Sequence, residues 1–190
     1  SLYEPGAKKR WSMPKEEDII GCKIAAIDPF FLEETQATAE LCVKYNKSYV
    51  TIDSKHDSYL HQHCAVNVVS KECTESDGYK DKSIEEIYEL LVASTDGLVI
   101  ITSGENDMIY GRKGQLMKRM KPFSVDVKST LGAGDTFKAG CVYGLLHGME
   151  DDELVRFASA CSAIAISRFP LPLNPPTLLE VNSLLKNTKK

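Results

Sequence analysis

Two glycines, Gly132 and Gly134, constrain the fold of this chain more than any other feature, because they join two predicted elements of different kinds. Alternating apolar residues at positions 123–127 predict a strand, and an apolar stripe at positions 137–145 predicts a helix. The first turn of such a helix carries unpaired backbone amides and partial positive charge, and glycine lets a ligand approach that backbone closely. The sequence therefore predicts an anion site here, and phosphate is the usual anion.

Asp135 lies in the first turn of this predicted helix, where a carboxylate has two interpretations. Acidic residues are common at helix starts for structural reasons alone. Alternatively, a carboxylate beside a bound phosphate can serve as the general base of phosphoryl transfer. Composition alone does not decide between the two.

Residues 129–137 read S-T-L-G-A-G-D-T-F and closely resemble the signature of the ribokinase (pfkB-type) carbohydrate kinase family. In that family the loop amides form an anion hole for the transferring phosphoryl group, and the aspartate takes the proton from the acceptor hydroxyl. The resemblance implies that Gly132, Ala133 and Gly134 form the anion hole and that Asp135 is the catalytic base. Phosphoryl transfer needs positioning, charge stabilisation and one base, which agrees with this arrangement.

Strands and helices alternate along the rest of the chain. The predicted strands are residues 22–28, 49–53, 65–70 and 97–102, followed by a small hairpin at residues 108–110 and 115–120. The predicted helices are residues 33–45, 84–92, 154–168 and 177–186. Asp151 or Asp152 is predicted to cap the third of these helices. This alternation implies right-handed crossovers and a largely parallel sheet.

We therefore expect one α/β domain over residues 1–190, doubly wound and ribokinase-like, with helices flanking the sheet. Ligands of such sheets bind beyond the carboxyl ends of the strands, where Asp28, Asp53, Ser70 and Thr102 stand. These residues and the glycine loop are expected to form one composite site, although strand-end acids are also ordinary turn residues.

Residues 102–107, T-S-G-E-N-D, resemble the nucleotide loop of the same family, which reads Thr-x-Gly-x-x-Gly. The resemblance implies nucleotide contacts by Thr102, Ser103, Gly104, Glu105 and Asp107. Asp107 replaces the second glycine, so its side chain narrows the approach of phosphate to the backbone. The same string is also a good plain turn.

The predicted helix at residues 154–168 resembles the segment that lies beneath the adenine in this family. The resemblance implies that Ser159 and Ala163 contact the nucleotide, although core packing also explains small residues there. The family uses ATP with Mg²⁺. Its Asn-x-x-Glu magnesium motif is replaced here by S-K-E-C at residues 70–73, so that Glu72 is the available carboxylate, with an indirect role. Ser129 replaces the leading aspartate of the signature, so the sequence does not support activation by a monovalent cation such as potassium.

Composition excludes several other classes. The chain is 43% hydrophobic and 26% charged with a net charge of −4, so it gives no electrostatic reason to expect nucleic acid or anionic membranes as partners. No apolar run approaches the ~20 residues of a membrane span, and we expect a cytoplasmic protein. The six cysteines form no Cys-x-x-Cys pair, and residues 61–64, H-Q-H-C, are interpreted as a polar loop rather than a zinc site.

The resemblance implies a kinase that phosphorylates a sugar hydroxyl, with a small sugar or nucleoside as its partner and a homodimer among the possible assemblies. The 190 residues correspond to the C-terminal part of the family's fold, without its lid and N-terminal half. The alternatives are a nucleoside kinase and a truncated or catalytically relaxed nucleotide-binding protein of the same fold. A dehydrogenase has less support, because no Gly-x-Gly-x-x-Gly follows the first strand.

Overall fold

The computed structural model describes residues 12–188, apart from the side chain of Pro172, and contains one six-stranded sheet in this range. Its strands lie in sequence order: β1 (Ile24–Ile27), β2 (Ser48–Ile52), β3 (Val66–Val69), β4 (Leu98–Ser103), β5 (Asn106–Gly111) and β6 (Lys118–Met120). Strands β1 to β4 pair in parallel, and β5 and β6 continue the sheet in antiparallel pairing. The prediction of a largely parallel sheet is confirmed.

The helices of the described range flank this sheet. They are α1 (Glu16–Gly21), α2 (Leu32–Lys44), α3 (Tyr59–His63), α4 (Lys71–Thr74), α5 (Ile84–Ala93), α6 (Ala133–Leu146), α7 (Asp151–Ile166) and α8 (Leu178–Asn187). Both α5 and α8 begin at a capping box, formed by Ser83 with Glu86 and by Thr177 with Glu180. None of the helices between residues 12 and 188 is long and apolar enough to cross a membrane.

The strand order explains why the two faces of the sheet are covered by different parts of the chain. Successive right-handed crossovers in one direction place their helices on one face. On that face Val99 and Ile101 of β4 pack against Leu91 of α5. The opposite face carries Val66 and Ile100, among others, and is covered by α6 and α7. The apolar strands are thus buried on both sides, as predicted for β4.

Two glycines on α6 allow α7 to lie unusually close to it. A Cβ added at Gly140 would come 2.7 Å from the Cα atom of Ala158, and one added at Gly144 would come 2.9 Å from Cγ of Leu154. Side chains at these positions would separate the helices. The position of α6 over the sheet is therefore fixed by close contact with α7.

The predicted strand at residues 123–127 is wrong, because the structure assigns no strand there. Phe123 instead packs against a cluster that contains Phe157 of α7 and Val181 of α8. The chain then joins α7 through the amides of Lys128 and Ser129, which donate to the carbonyl oxygen of Ile166 at 2.8 and 3.2 Å. Phe123 therefore packs on helices rather than pairing in a sheet, and Val127 is exposed.

The predicted cap of α7 is also wrong, since Glu150 is the N-cap and makes no side-chain cap bond. Asp151 accepts two hydrogen bonds of 2.8 Å from Arg112. Asp152 accepts one from the hydroxyl of Tyr110 at 3.1 Å and one from Lys118 at 2.7 Å. These acids face outward from the first turn of α7 and tie it to the β5–β6 hairpin.

The predicted polar loop at residues 61–64 is largely helical, because α3 extends to His63. His61 is fully buried, with Nε2 at 2.9 Å from the carbonyl oxygen of Leu91 and Nδ1 at 2.8 Å from Nδ2 of Asn67. The histidine that invited a metal interpretation is therefore hydrogen-bonded within the protein.

Candidate active site

The first turn of α6 begins at Gly132, which has a left-handed φ of +80° that glycine adopts without steric cost. The amide of Ala133 donates to the carbonyl oxygen of Thr130 at 3.1 Å. Within residues 12–188, the amides of Gly132, Gly134 and Asp135 have no hydrogen-bond acceptor. Of the three amides predicted for the anion hole, one is used in a turn, and two remain available together with that of Asp135.

Tight packing holds this turn in place. A Cβ at Gly132 would lie 2.7 Å from Cδ2 of Leu171, and one at Gly134 would lie 2.9 Å from Cδ1 of Ile52, the last residue of β2. The hydroxyl of Ser162 donates to the carbonyl oxygen of Ala133 at 3.1 Å and links α7 to the turn. Side chains at these two positions would displace the ends of Leu171 and Ile52, so both glycines let the loop lie close to its neighbours.

Asp135 and Asp28 are brought together by a lysine that the sequence analysis missed. The Asp135 side chain is 75% exposed, and its Oδ1 atom lies 3.7 Å from Nζ of Lys138, one turn further along α6. The Lys138 ammonium donates a hydrogen bond to Asp28, which follows β1. The sequence shows Lys138 only as a lysine within an otherwise apolar part of the predicted helix. That pattern does not indicate that Asp28 is its partner.

The ends of β2 and β3 are joined by Asp53 and Ser70. The amide of Ser70 donates to Oδ1 of Asp53 at 2.7 Å, and the amide of Asp53 donates to the carbonyl oxygen of Val68 at 2.8 Å. Asp53 has a φ of +50°, a left-handed conformation that costs energy for a residue with a side chain. The Ser70 hydroxyl caps α4 by accepting the amide of Cys73, and Glu72 is exposed on that helix.

The predicted nucleotide loop forms a tight hairpin turn. Thr102 and Ser103 belong to β4 and Asp107 belongs to β5, so only Gly104 and Glu105 lie between the strands. Gly104 has a φ of +62° at the first central position, which is the requirement of a type II′ turn. The structure thus places the five predicted residues on one short hairpin at the carboxyl end of β4.

Ser159 and Ala163 lie in the middle of α7 and are only 3% and 4% exposed. Their burial agrees with the core-packing interpretation, and their contact with a nucleotide stays a prediction. Ser162, on the same helix, is half-buried and contacts the α6 turn as described above.

A separate cleft of about 740 Å³ opens between α2 and the residues after β2. Its lining includes Asp53, Lys55 and Glu33 but neither Asp135 nor Gly104. No group of three or more histidine, cysteine, aspartate or glutamate side chains in the described part of the chain is arranged to hold a metal ion. The cleft is therefore separate from the turn at α6.

Comparison with known proteins places this arrangement in context. The model of the pfkB family of carbohydrate kinases matches residues 29–176. A 5-dehydro-2-deoxygluconokinase of Shouchella clausii is 32% identical over 103 residues, which cover 54% of this chain and 31% of that protein.

Solved structures show the same fold. A putative ribokinase from Agrobacterium tumefaciens matches with a TM-score of 0.81 at 17% identity, covering 96% of this chain and 61% of that one. A putative ribokinase II from E. coli, in complex with ATP and Mg²⁺, matches with a TM-score of 0.77 at 14% identity, covering 91% and 61%. The chain thus spans less than two thirds of each of these three relatives. Because the family model matches most of its length, the chain belongs to the pfkB family of carbohydrate kinases.

Proposed function

We propose that the complete protein transfers a phosphoryl group from ATP to a sugar hydroxyl, with Asp135 as the general base. One observation carries this proposal: the open amides of Gly134 and Asp135 share a helical turn with the exposed carboxylate of Asp135. An anion-binding group and a base are thereby held side by side in a chain of the carbohydrate kinase family.

Each part of the turn has a chemical role in this reaction. The open amides and the positive end of the α6 dipole stabilise the negative charge on the oxygens of the transferring phosphoryl group. The Asp135 carboxylate accepts the proton of the attacking hydroxyl. Because both groups belong to one rigid turn, the acceptor oxygen and the phosphorus are positioned together, which is the main requirement of phosphoryl transfer.

The nucleotide is proposed to bind with its phosphates toward the β4–β5 turn at Gly104 and its base toward α7 near Ser159 and Ala163. A solved relative named as a complex with ATP and Mg²⁺ supports this choice of donor. Mg²⁺ carried by the phosphates would neutralise their charge and needs few protein ligands. Glu72, exposed on α4, is the carboxylate proposed to act on it indirectly.

The acceptor is proposed to be a sugar or sugar acid, because a matching relative is named 5-dehydro-2-deoxygluconokinase. A nucleoside acceptor is the alternative within the same chemistry. A panel of ketoses, sugar acids and nucleosides, offered to the complete protein with ATP and Mg²⁺, distinguishes them by the product that becomes phosphorylated.

The decisive experiment is Asp135→Asn in the complete protein. This change removes the proton acceptor at nearly constant size, so kcat should fall by about 10²–10⁴-fold. Affinity for ATP should stay the same or increase, because a negative charge near the terminal phosphate is lost. Asp126→Asn is the matched control, since Asp126 is exposed and pairs only with Lys128 in the described structure. A stable Asp135→Asn variant with unchanged kcat would refute the assignment.

A second function, nucleotide binding without transfer, is favoured by one observation. At the position of the family's magnesium motif, the Ser70 hydroxyl and amide are both used in local hydrogen bonds, and Cys73 replaces the acid. Calorimetric ATP binding without phosphorylation of any acceptor in the panel would support this alternative.

A further inference from the structure

We propose that Lys138 is a positioning residue, which orients the Asp135 carboxylate for proton transfer while being anchored itself by Asp28. The inference rests on the proposed role of Asp135 as the base. It concerns three side chains from two elements that converge at the carboxyl end of the sheet.

The Lys138 side chain is almost completely buried. The residue is only 7% exposed, and lysine is almost never buried to this extent unless it is paired. Its neighbours on the buried side of α6, Phe137 and Cys141, are apolar core residues. The ion pair with Asp28 explains how the ammonium is tolerated at this position.

The donors of the ammonium are the second argument. A lysine ammonium has three donors, and within residues 12–188 this one makes a single hydrogen bond, to Asp28. The Oδ1 atom of Asp135 lies 3.7 Å away, beyond hydrogen-bond distance but within ion-pair distance. The remaining donors can therefore hold the Asp135 carboxylate when its side chain rotates toward them.

The freedom of Asp135 is the third argument. Its side chain is 75% exposed, and Lys138 is the only residue of the described chain that forms an ion pair with it. A base must be aligned with the proton that it removes, and an exposed carboxylate rotates freely unless something holds it. Lys138 supplies that restraint from within the same helix.

Asp28 adjusts the strength of the restraint. Because Asp28 accepts the hydrogen bond of the ammonium, its negative charge balances the positive charge of Lys138. Asp135 is then attracted without being bound in a tight pair, and its oxygens stay available to the acceptor hydroxyl.

The test compares Lys138→Met and Lys138→Arg in the complete protein, with kcat, the KM values for ATP and acceptor, and the melting temperature measured for each. Misorientation of the base should lower kcat of Lys138→Met by about 10–10²-fold. The KM for ATP should stay within about 2-fold, since ground-state binding is unaffected. Lys138→Arg, which keeps the charge, should retain more activity than Lys138→Met. Lys44→Met is the control, because it removes an exposed ion pair between Lys44 of α2 and Glu16 of α1.

A purely structural role predicts a lower melting temperature for Lys138→Met with unchanged kcat per folded molecule, and that result would overturn the inference. If Lys138→Met does not fold because Asp28 is left unpaired, the double variant Asp28→Asn, Lys138→Met is compared with Asp28→Asn alone, and equal kcat in these two overturns it. Failure of the proposed function is distinguishable: it is shown by an inactive wild-type protein or a fully active Asp135→Asn variant, whatever Lys138 does.

Discussion

The hydroxyl of Ser162 donates a 3.1 Å hydrogen bond to the carbonyl oxygen of Ala133, so the middle of α7 holds the first turn of α6. The orientation of the open amides therefore depends on α7 as well as on α6 itself. This contact can be removed without changing any residue to which a chemical role is assigned.

Ser162→Ala should lower the free energy of unfolding by about 0.5–1.5 kcal/mol, the net value of one hydrogen bond. It should also lower kcat, because the turn loses a restraint on its position. Ser167→Ala is the matched control: it removes a hydroxyl that donates to the Ile164 carbonyl at the far end of α7. Urea unfolding and kinase assays on both variants check this, and equal kcat in the two would show that the Ser162 contact is not needed for catalysis.

Gly140→Ala should destabilise the protein by about 1–3 kcal/mol, because the new methyl group would overlap the backbone of Ala158 and push α6 from α7. The higher helix propensity of alanine compared with glycine, about 1 kcal/mol, offsets part of this cost. Gly21→Ala provides the comparison, since no atom lies within 4 Å of its added Cβ. Thermal unfolding should show a lower melting temperature for Gly140→Ala alone. Equal melting temperatures would mean that the helices move apart at no cost.

Asp53→Ala should lower the free energy of unfolding by about 1–2 kcal/mol. The substitution removes the acceptor of the Ser70 amide, and alanine disfavours the left-handed backbone conformation of this position. Asp53→Asn should be tolerated better, since asparagine adopts this conformation readily and retains a side-chain oxygen. Denaturant unfolding of both variants measures the order. If Asp53→Ala were more stable than Asp53→Asn, the explanation would be contradicted.

The buried histidine makes stability depend on pH. Nδ1 of His61 accepts from Nδ2 of Asn67, which can only donate, so a second proton on the ring would lose this bond. Burial, the largest cause, lowers the pKa of His61 below its ordinary value of 6.5. Above that pH both folded and unfolded chains hold a neutral ring, and the stabilisation is complete. As the pH falls below 6.5, the unfolded chain binds the proton first, and stability declines.

Melting temperatures at several pH values between 7.5 and 5 test this expectation, with the range chosen to cross the ordinary histidine pKa of ~6.5. His61→Gln should be less stable at neutral pH yet less sensitive to acid, because the titrating group is gone. His63→Gln is the control, since His63 is exposed on the same helix. An unchanged acid sensitivity in His61→Gln would assign the effect to another group.

The strands of the parallel part of the sheet were predicted within two residues because apolar runs between turn residues are a local property of sequence. The wrong strand at residues 123–127 shows the limit of that signal. Phe123 packs on α7 and α8, and the guanidinium of Arg156 lies over its ring, 5.2 Å from the centroid. A period of two residues does not say whether the partner is a strand or a helix.

At the candidate site, the glycine loop and Asp135 were recognisable because their spacing is contained in one short string. The partner of Lys138 was not, since the ion pair connects two distant parts of the sequence. Similarly, acids are common at helix starts, so the sequence predicts a cap at Asp151 or Asp152, whereas the partners of both residues come from the β5–β6 hairpin.

The in-sequence order of the strands has a consequence for folding. Each strand pairs with the next strand along the chain, so the sheet forms through connections that are short in sequence. The contact between Lys138 and Asp28, in contrast, joins positions that are 110 residues apart, and the entropy lost in closing a loop increases with its length. We therefore expect the sheet to assemble ahead of the first turn of α6 on β1. A partly folded chain would then have its strands in register while the groups proposed for phosphoryl transfer were still apart.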